Sequence, residues 1–438
     1  MKRESRCSSQ ECVTSNTDPD MTKDNKVLVV GSGGRCHAIV RALNRSQRVG
    51  KVYCAPGNAG IADEAECVAI GVEDVEALVR FAKENAIDMT VVGPEAALAA
   101  GLVDALEAEG LKAFGPSKAA ARIESSKEFA KQIMTRYGVP TAAYEAFDNF
   151  DEAWEYVKGR PLPAVIKYDG LAAGKGVVVA LSYEEAEAAL RDMLLGGAFG
   201  KGRVVVEDFL DGPEFSFMCV VSGSKVYPLA MAQDHKRAFD GDKGPNTGGM
   251  GAYSPVPFIT DEIREKALND IIRRTAEGMV AEGVPFKGVL YGGLILTAEG
   301  PKVIEFNARF GDPETEVVLP RLQSDFYDLI EAAVDGLDCE TKWSDDAYLG
   351  VVLASEGYPG SYSKGVEIKG LDNVNAEVYH MGTKRDGDKI VTAGGRVIMV
   401  VGKGKTIDEA NEAAKKEIEK IDCPSLFHRS DIGKAALK

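Results

Sequence analysis

The chain predicts an α/β domain, then an α+β region, then a β-rich domain carrying helices, on three observations. Strand and helix signals alternate from Lys26 to about Ser125, hairpin signals dominate from about Ser126 to Asp335, and strand signals return from about Leu349. Alternation implies a doubly wound parallel sheet covered by helices, whereas clustered hairpins imply a separate antiparallel layer. A chain of 438 residues exceeds one ordinary core and should divide into about three domains. The expected division is a tail over residues 1–25, then domains over 26–125, 126–337 and 338–438.

The tail is polar and rich in Ser, Thr and Asp, a composition expected to be disordered. The first domain opens abruptly at Lys26-Val-Leu-Val-Val30. A Gly turn and a helix from His37 follow, then a strand Val52–Ala55, a helix faced by Val75, Leu78, Val79 and Ala82, a strand Asp88–Val92, and a helix carrying Leu98, Leu102 and Leu106. In such a sheet ligands bind at the carboxyl ends of the strands. Three loops fall there and are expected to line one cleft: Gly31–Arg35, Ala55–Gly60 and Gly93–Glu95.

Hairpins are expected from Ala164–Lys167 with Val177–Ala180, from Glu214–Val221 with Lys225–Ala232, and from Val289–Thr297 with Lys302–Asn307. In the last domain Gly394-Gly-Arg-Val397 reads as turn into strand. A capping box, Thr406 with Glu409, opens a helix faced by Ile407, Ala410, Ala414, Ile418 and Ile421.

The net charge of −16 excludes an extended nucleic-acid-binding face, because phosphate neutralisation needs concentrated basic surface. Any anion site must be local. The eight cysteines include no CxxC pair, so neither a zinc site nor a disulfide framework is indicated and a reducing cytoplasm is expected. No apolar run approaches the ~20 residues of a membrane span, and no signal-peptide core is present.

The richest stretch is Val303-Ile-Glu-Phe-Asn-Ala-Arg309. On a strand Glu305, Asn307 and Arg309 leave one face at about 6.5 to 7 Å spacing. The hard oxygens of Glu305 and Asn307 suit Mg²⁺, which takes few protein ligands and completes its shell with water and phosphates. Arg309 would face the same anions. An edge strand with a solvated polar face is the plain alternative. Gly31-Ser-Gly-Gly-Arg-Cys36 sits where a dinucleotide fingerprint would be, but Cys36 replaces the last glycine and no acidic residue ends the second strand. Phosphate held by Gly33, Gly34 and Arg35 at a helix N-terminus is the functional reading, and a tight turn the structural one.

Asp169–Gly176 is Gly-rich yet lacks the hydroxyl of a Walker motif. With Lys167, Gly174 and Lys175 it suits a lid over phosphates, or else an exposed hairpin with solvated lysines. Glu207, Asp208, Phe209 and Leu210 form a strand and hinge whose backbone could read an adenine edge, and Glu214 could accept from ribose. An ordinary hairpin is the alternative. Gln233-Asp-His-Lys-Arg237 and Gly244–Gly251 concentrate charge and glycine in one loop. His235 there reads as a hydrogen-bonded positioning group rather than a base.

Together GSGGR-x-HA, APGNAG, VVGPEAALAAGLVD, KYDGLAAGKGV, QDHKR, GPNTGGMGAYSP and VIEFNARFGDPET resemble the phosphoribosylamine glycine ligase family of ATP-grasp enzymes. GYPG, HMGTK, GGRV and DIG extend the match to the C-terminus. QDHKR with GPNTGGMGAYSP is specific to this family, whereas EFN-x-R is shared across ATP-grasp enzymes. The resemblance implies an ATP-grasp module with a lid over about 141–210, ATP as substrate, Mg²⁺ or Mn²⁺ at Glu305 and Asn307, and glycine and 5-phosphoribosylamine as the other small molecules. It assigns Lys127, Lys167, Gly174, Lys175, Glu207–Leu210, Glu214, Arg237 and Asn246 to ATP. Arg309, Lys167 and Lys175 would serve the chemistry. Gly33, Gly34, Arg35, Gly57, Asn58, Pro94, Glu95, Asp234, His235, Lys236, Thr247, Gly248, Gly249 and Asp312 would meet the other substrates.

A monomer is expected, with a dimer as alternative, and no nucleic-acid or membrane partner. The family pattern usually has Glu where this chain has Cys36. A thiol at a helix N-terminus beside Arg35 would have a lowered pKa if exposed, and would be a small packed side chain if buried. A nicotinamide dehydrogenase leaves Glu305 and Asn307 idle, a biotin-carboxylase-like enzyme leaves QDHKR with GPNTGGMG unexplained, and a catalytically dead nucleotide-binding regulator is countered by the intact Lys167, Glu305, Asn307 and Arg309.

Overall fold

The computed structural model describes residues 24–170, 176–196 and 202–434. The expected disordered tail lies outside the described residues but for its last two, and so do Gly174 and Lys175.

Strands β1 (Asn25–Gly31), β2 (Val49–Pro56), β3 (Glu66–Cys67), β4 (Met89–Val92) and β5 (Ala113–Phe114) form a wholly parallel sheet in the order β3-β2-β1-β4-β5. Val27 to Val30 are all fully buried. Alternate residues pack in opposite directions, Val27 and Val29 with Ile39 and Leu43, Leu28 and Val30 with Leu78 and Leu102. Cover on both faces is why the strand reads as an unbroken apolar run. The order reverses between β1 and β4, so the loops after these strands diverge and open a crevice.

The second region has two antiparallel sheets. Strands β6 (Tyr144–Phe147), β7 (Ala164–Tyr168), β8 (Val177–Ala180) and β9 (Val204–Asp208) run in the order β6-β9-β7-β8. They share a small core of their own with the helices Phe150–Lys158 and Tyr183–Leu194, built from Val157, Ile166, Leu190, Met193 and Val206. After the hinge at 209–213 come β10 (Glu214–Ser222) and β11 (Lys225–Pro228), then the short strands β12 (Gln233–Asp234), β13 (Arg237–Phe239), β14 (Lys243–Asn246) and β15 (Gly251–Ser254). Strands β16 (Lys287–Thr297) and β17 (Gly300–Asn307) complete a sheet ordered β11-β10-β16-β17.

The last sheet contains β18 (Ala347–Ser355), β19 (Glu377–His380) and β22 (Arg396–Gly404), with β20 (Thr383–Asp386) and β21 (Lys389–Thr392) as a separate hairpin. Strand β23 (Leu426–Phe427) pairs with β18, and the helix Ile407–Ile418 covers the sheet behind its Thr406 cap. One feature is foreign to local sequence signals. Strands β12 and β15 leave the middle of the chain to extend this sheet, in the order β12-β15-β18-β22-β19. The loop richest in charge and glycine is thereby carried between the second and third regions.

Candidate active site

A cavity of about 460 Å³ opens where the three regions meet. From the crevice between β1 and β4 it takes Arg35 and Glu95, from the lid sheet Lys167, Glu207 and Asp208, from the hinge Phe209 and Leu210, and from β17 and its continuation Glu305, Asn307 and Arg309.

Strand β17 sets its polar residues through a slip in its pairing. Gly293 faces Glu305 but Leu294 faces Val303, so Ile304 has no partner in the ladder. Its carbonyl accepts instead from Lys167 Nζ at 2.7 Å, which ties the lid to the strand. Glu305 makes no hydrogen bond among the described residues and lies near Lys127, whose ammonium burial pulls down while the Glu305 charge pulls it up. Arg309, past the end of the strand, donates to Asn307 Oδ1 at 3.2 Å and pairs with Glu124 at 3.2 Å and Glu95 at 3.5 Å. Asn307 Oδ1 keeps a second lone pair for a cation. Arg35 Nη1 and Arg309 Nε are buried without a hydrogen-bond partner among the described residues. Their donor capacity at the cavity wall fits an anionic ligand.

Two lysines share one buried carboxylate. Glu207 pairs with Lys167 at 2.9 Å and with Lys131 at 3.0 Å. Burial pulls Lys131 down to about 8 against the Glu207 charge, and its ammonium also donates to Thr141 Oγ1 at 2.8 Å. Lys127 donates to Gly170 O at 2.9 Å, while Asp169 accepts from the Lys127 and Glu128 amides at the start of the helix Lys127–Arg136. The start of the loop after β7 is thus anchored on the start of that helix. On the far wall Lys236 pairs with Asp234 at 2.9 Å and Glu214 at 3.2 Å. Glu314 accepts from Ser216 at 3.0 Å and Tyr291 at 2.5 Å.

Of the residues singled out in the sequence, Asn246, Thr247, Gly248 and Asp312 also line the cavity, beside Lys127, Asp234, Lys236 and Glu214. Others do not. Asn58 spends its amide on Ser32 O at 2.7 Å and His380 O at 2.8 Å, and its carbonyl on the Gly60 and Ile61 amides. Gly57 sits in a left-handed turn against Cys67, and Pro94 precedes the helix Glu95–Ala99. His235 is buried off the cavity against Tyr253, held below its ordinary pKa by burial and then by Arg429. Gly249 packs on Pro313, and Arg237 donates to Gly244 O within its own hairpin.

The first helix bears on two readings that the sequence left open. The helix Gly34–Asn44 already has an internal anion at its N-terminus, because the Arg35 amide donates to Asp312 Oδ2 at 3.1 Å. Gly33 faces the same carboxylate and Gly34 presses on Glu316. Asp312 is itself held by Arg396 at 3.0 Å. Nor is the Cys36 thiol activated. It is 2% exposed, packed under Gly31 and Gly93, and burial pushes it up to about 12 against the Arg35 charge. The dipole argument presumes solvent access that the packing denies.

Sequence reasoning missed Glu124, Lys131, Tyr291, Glu314 and Arg396 on the wall. Lys131 and Glu124 carry a weak signal, as single charges on otherwise buried helical faces. Arg396 carries none, since its partners are Gly248 O and Asp312, far away in sequence.

A lid sheet and a hinge, facing a strand that ends in a carboxylate, a carboxamide and a guanidinium, define an ATP-grasp enzyme. The comparisons agree. Models of the phosphoribosylglycinamide synthetase N domain, ATP-grasp (A) domain and C domain match residues 25–124, 125–315 and 348–435. The phosphoribosylamine–glycine ligase of Halalkalibacterium halodurans is 55% identical over 415 residues, covering 94% of this chain and 97% of that one. The enzyme of that name from Vibrio cholerae is 49% identical over 422 residues, covering 94% and 98%. The chain belongs to the phosphoribosylglycinamide synthetase family. The crystal structure of phosphoribosylamine–glycine ligase from Thermotoga maritima matches with a TM-score of 0.83 at 35% identity, over 93% of this chain and 100% of that one. The biotin carboxylase domain of Hydrogenobacter thermophilus 2-oxoglutarate carboxylase shares the fold, with a TM-score of 0.69 at 18% identity over 93% and 92%.

Proposed function

We propose that this chain joins glycine to 5-phosphoribosylamine with ATP, giving glycinamide ribonucleotide, ADP and phosphate, in purine biosynthesis. The observation that carries this reading is one cavity lined by Lys127, Lys167, Glu305, Asn307 and Arg309 together with Arg35 and Glu95. The first group suits ATP phosphates and the second an anionic amine substrate in the crevice.

A glycine carboxylate oxygen attacks the γ-phosphorus, the bond to ADP breaks, and glycyl phosphate forms. The amine nitrogen of phosphoribosylamine then attacks the glycyl carbonyl carbon, phosphate leaves, and the amine proton is lost. Phosphoryl transfer of this kind requires positioning and charge neutralisation more than covalent help. Lys127 and Lys167 neutralise phosphate oxygens. Arg309, fixed by Glu124 and Glu95, holds the transferring group. Glu207 keeps Lys167 and Lys131 apart, the Asp208–Leu210 backbone faces adenine, and Glu214 accepts from ribose. Arg35 and Asp234 orient the amine and amino-acid substrates.

Mg²⁺ or Mn²⁺ fits Glu305 and Asn307, whose oxygens are hard and not fully used within the protein. Among the described residues no three His, Cys, Asp or Glu side chains form a metal cluster, which agrees with a cation that keeps its waters and substrate phosphates. When bound it supplies charge neutralisation at the phosphates.

The enzyme acts in the cytoplasm as a monomer in this reading. No described helix is long and apolar enough to cross a membrane. Phosphate release from ATP, with glycine and freshly generated phosphoribosylamine each omitted in turn, tests the reaction. Release must require both, and bicarbonate-dependent release without glycine would overturn it.

A further inference from the structure

The hairpin β13–β14 pairs with no other sheet, and β14 is exposed along its whole length. An isolated two-stranded hairpin is marginal in water. Yet this one delivers Asn246 to the cavity wall. Its turn is strained as well, since Asp242 has a φ of 54° without being glycine.

What holds it comes from the other end of the chain. Arg429, with 1% of its side chain exposed, makes a two-pronged pair with Asp431 at 2.7 and 2.8 Å. Its remaining nitrogen donates to Arg237 O at 3.0 Å and pairs with Asp242 at 2.9 Å. Asp431 accepts from the Gly241 amide at 2.8 Å. The Ser430 amide donates to Asp240 at 2.8 Å, its hydroxyl bonds the same carboxylate, and Phe427 stacks on Phe239 at 5.9 Å. These contacts all fall on 237–242. The following turn is held separately, by Arg396 on Gly248 O at 2.9 Å and by Tyr358, which accepts from the Gly248 amide at 3.0 Å.

We propose that the segment 427–431 is a clasp that presets the β13–β14 hairpin, with Arg429 as a positioning residue for nucleotide binding at Asn246. The inference rests on the reading of the cavity as an ATP site. Because the clasp grips only the half of the loop that carries Asn246, it governs affinity for nucleotide and leaves the glycine end of the cavity alone. A loop ordered in advance loses less freedom when its ligand binds, and releasing it returns that cost to the binding step.

The test is the dissociation constant of magnesium-ATP, measured by calorimetry on the full chain, with the KM for glycine alongside. Arg429→Lys keeps the charge but cannot serve Asp431, Asp242 and the Arg237 carbonyl at once. Asp240→Ala removes one exposed carboxylate and leaves the core untouched, so its thermal midpoint should stay at the wild-type value. Each is expected to weaken magnesium-ATP about tenfold, the cost of re-ordering a short loop, with the glycine KM within about twofold. Wild-type affinity in both variants, or an equal loss for glycine, overturns the clasp. If the unaltered chain itself binds no magnesium-ATP, the nucleotide reading falls and the clasp with it.

Discussion

Glu305 has a carboxylate that no neighbour hydrogen-bonds among the described residues, two positions before Asn307, whose Oδ1 accepts from Arg309. Glu305→Gln keeps its shape and removes a charge, so the fold should survive while kcat falls by roughly a hundredfold or more. Turnover at several Mg²⁺ concentrations, with a circular dichroism spectrum, checks this; an unchanged metal dependence would refute the assignment. This residue was legible because its partners Asn307 and Arg309 are sequence neighbours, and the spacing alone brings them together. Cys36 stayed open between a reactive and a packed thiol, because position on a helix says nothing about what packs over it, and burial decides for the packed one. Its thiol should resist alkylation at pH 8 in the folded protein and react only in urea, with or without ligand, as read by mass spectrometry. Cys36→Glu would add a carboxyl beside buried Asp312 and Glu316, at a stability cost of about 2–5 kcal/mol measurable by urea unfolding.

The hairpin β7–β8 illustrates what element boundaries reveal and what they hide. Its two strands lie where alternating β-branched residues put them, at Ala164–Tyr168 and Val177–Ala180. Its attachment to the rest, through Lys167 on the Ile304 carbonyl and Asp169 on the Lys127 amide, depends on a pairing slip in a strand some 130 residues on. Such a slip leaves no trace in hydrophobic periodicity. The lid sheet has its own core and few ties to the body, so it should close on nucleotide. Amide exchange at 164–170 and 176–180 is expected to slow when magnesium-ATP is added; equal exchange in both states would argue against a lid. Likewise neither the strand β15 nor its choice of β18 was readable, since strand pairing is decided by burial of distant partners.

At the scale of the molecule, the first and last regions are joined by buried histidines. His37 Nδ1 accepts from the His380 amide at 2.8 Å, so Nε2 carries the proton and meets Glu64 at 3.0 Å. His380 Nδ1 contacts Thr383 at 2.9 Å, and Arg41 reaches Val378 O at 3.2 Å. Burial holds both rings neutral, His37 below its usual pKa and His380 down to about 3. The unfolded chain takes up these protons near pH 6.5, so the stability of this joint is complete above that value and lost as pH falls. Each histidine should cost about 1.4 kcal/mol per pH unit below 6.5. Glu64, lowered to about 2 by His37 and Arg41 against its desolvation, adds nothing until pH drops below its ordinary value of 4.5. Because buried His235, Glu314 and Glu316 are shifted as well, comparing urea midpoints between pH 7 and 5 for the wild type and His380→Asn isolates the His380 ring. A slope unchanged by His380→Asn would contradict their role. Composition and motif order foretold three regions, but nothing local in His37 foretold its partner.

Strand β15 waits for β18, which the ribosome reaches roughly a hundred residues later, or about 5–20 s at ordinary synthesis rates of ~5–20 residues per second. For that interval β12 and β15 present open edges beside a half-built core, the condition in which nascent chains are most prone to stick to one another. The hairpin that brings Asn246 to the cavity waits longer still, since Arg429 follows Arg237 by almost two hundred residues. Catalytic competence in such a chain does not grow with length during translation. It waits for the segment around Arg429, which fastens a loop laid down almost two hundred residues earlier.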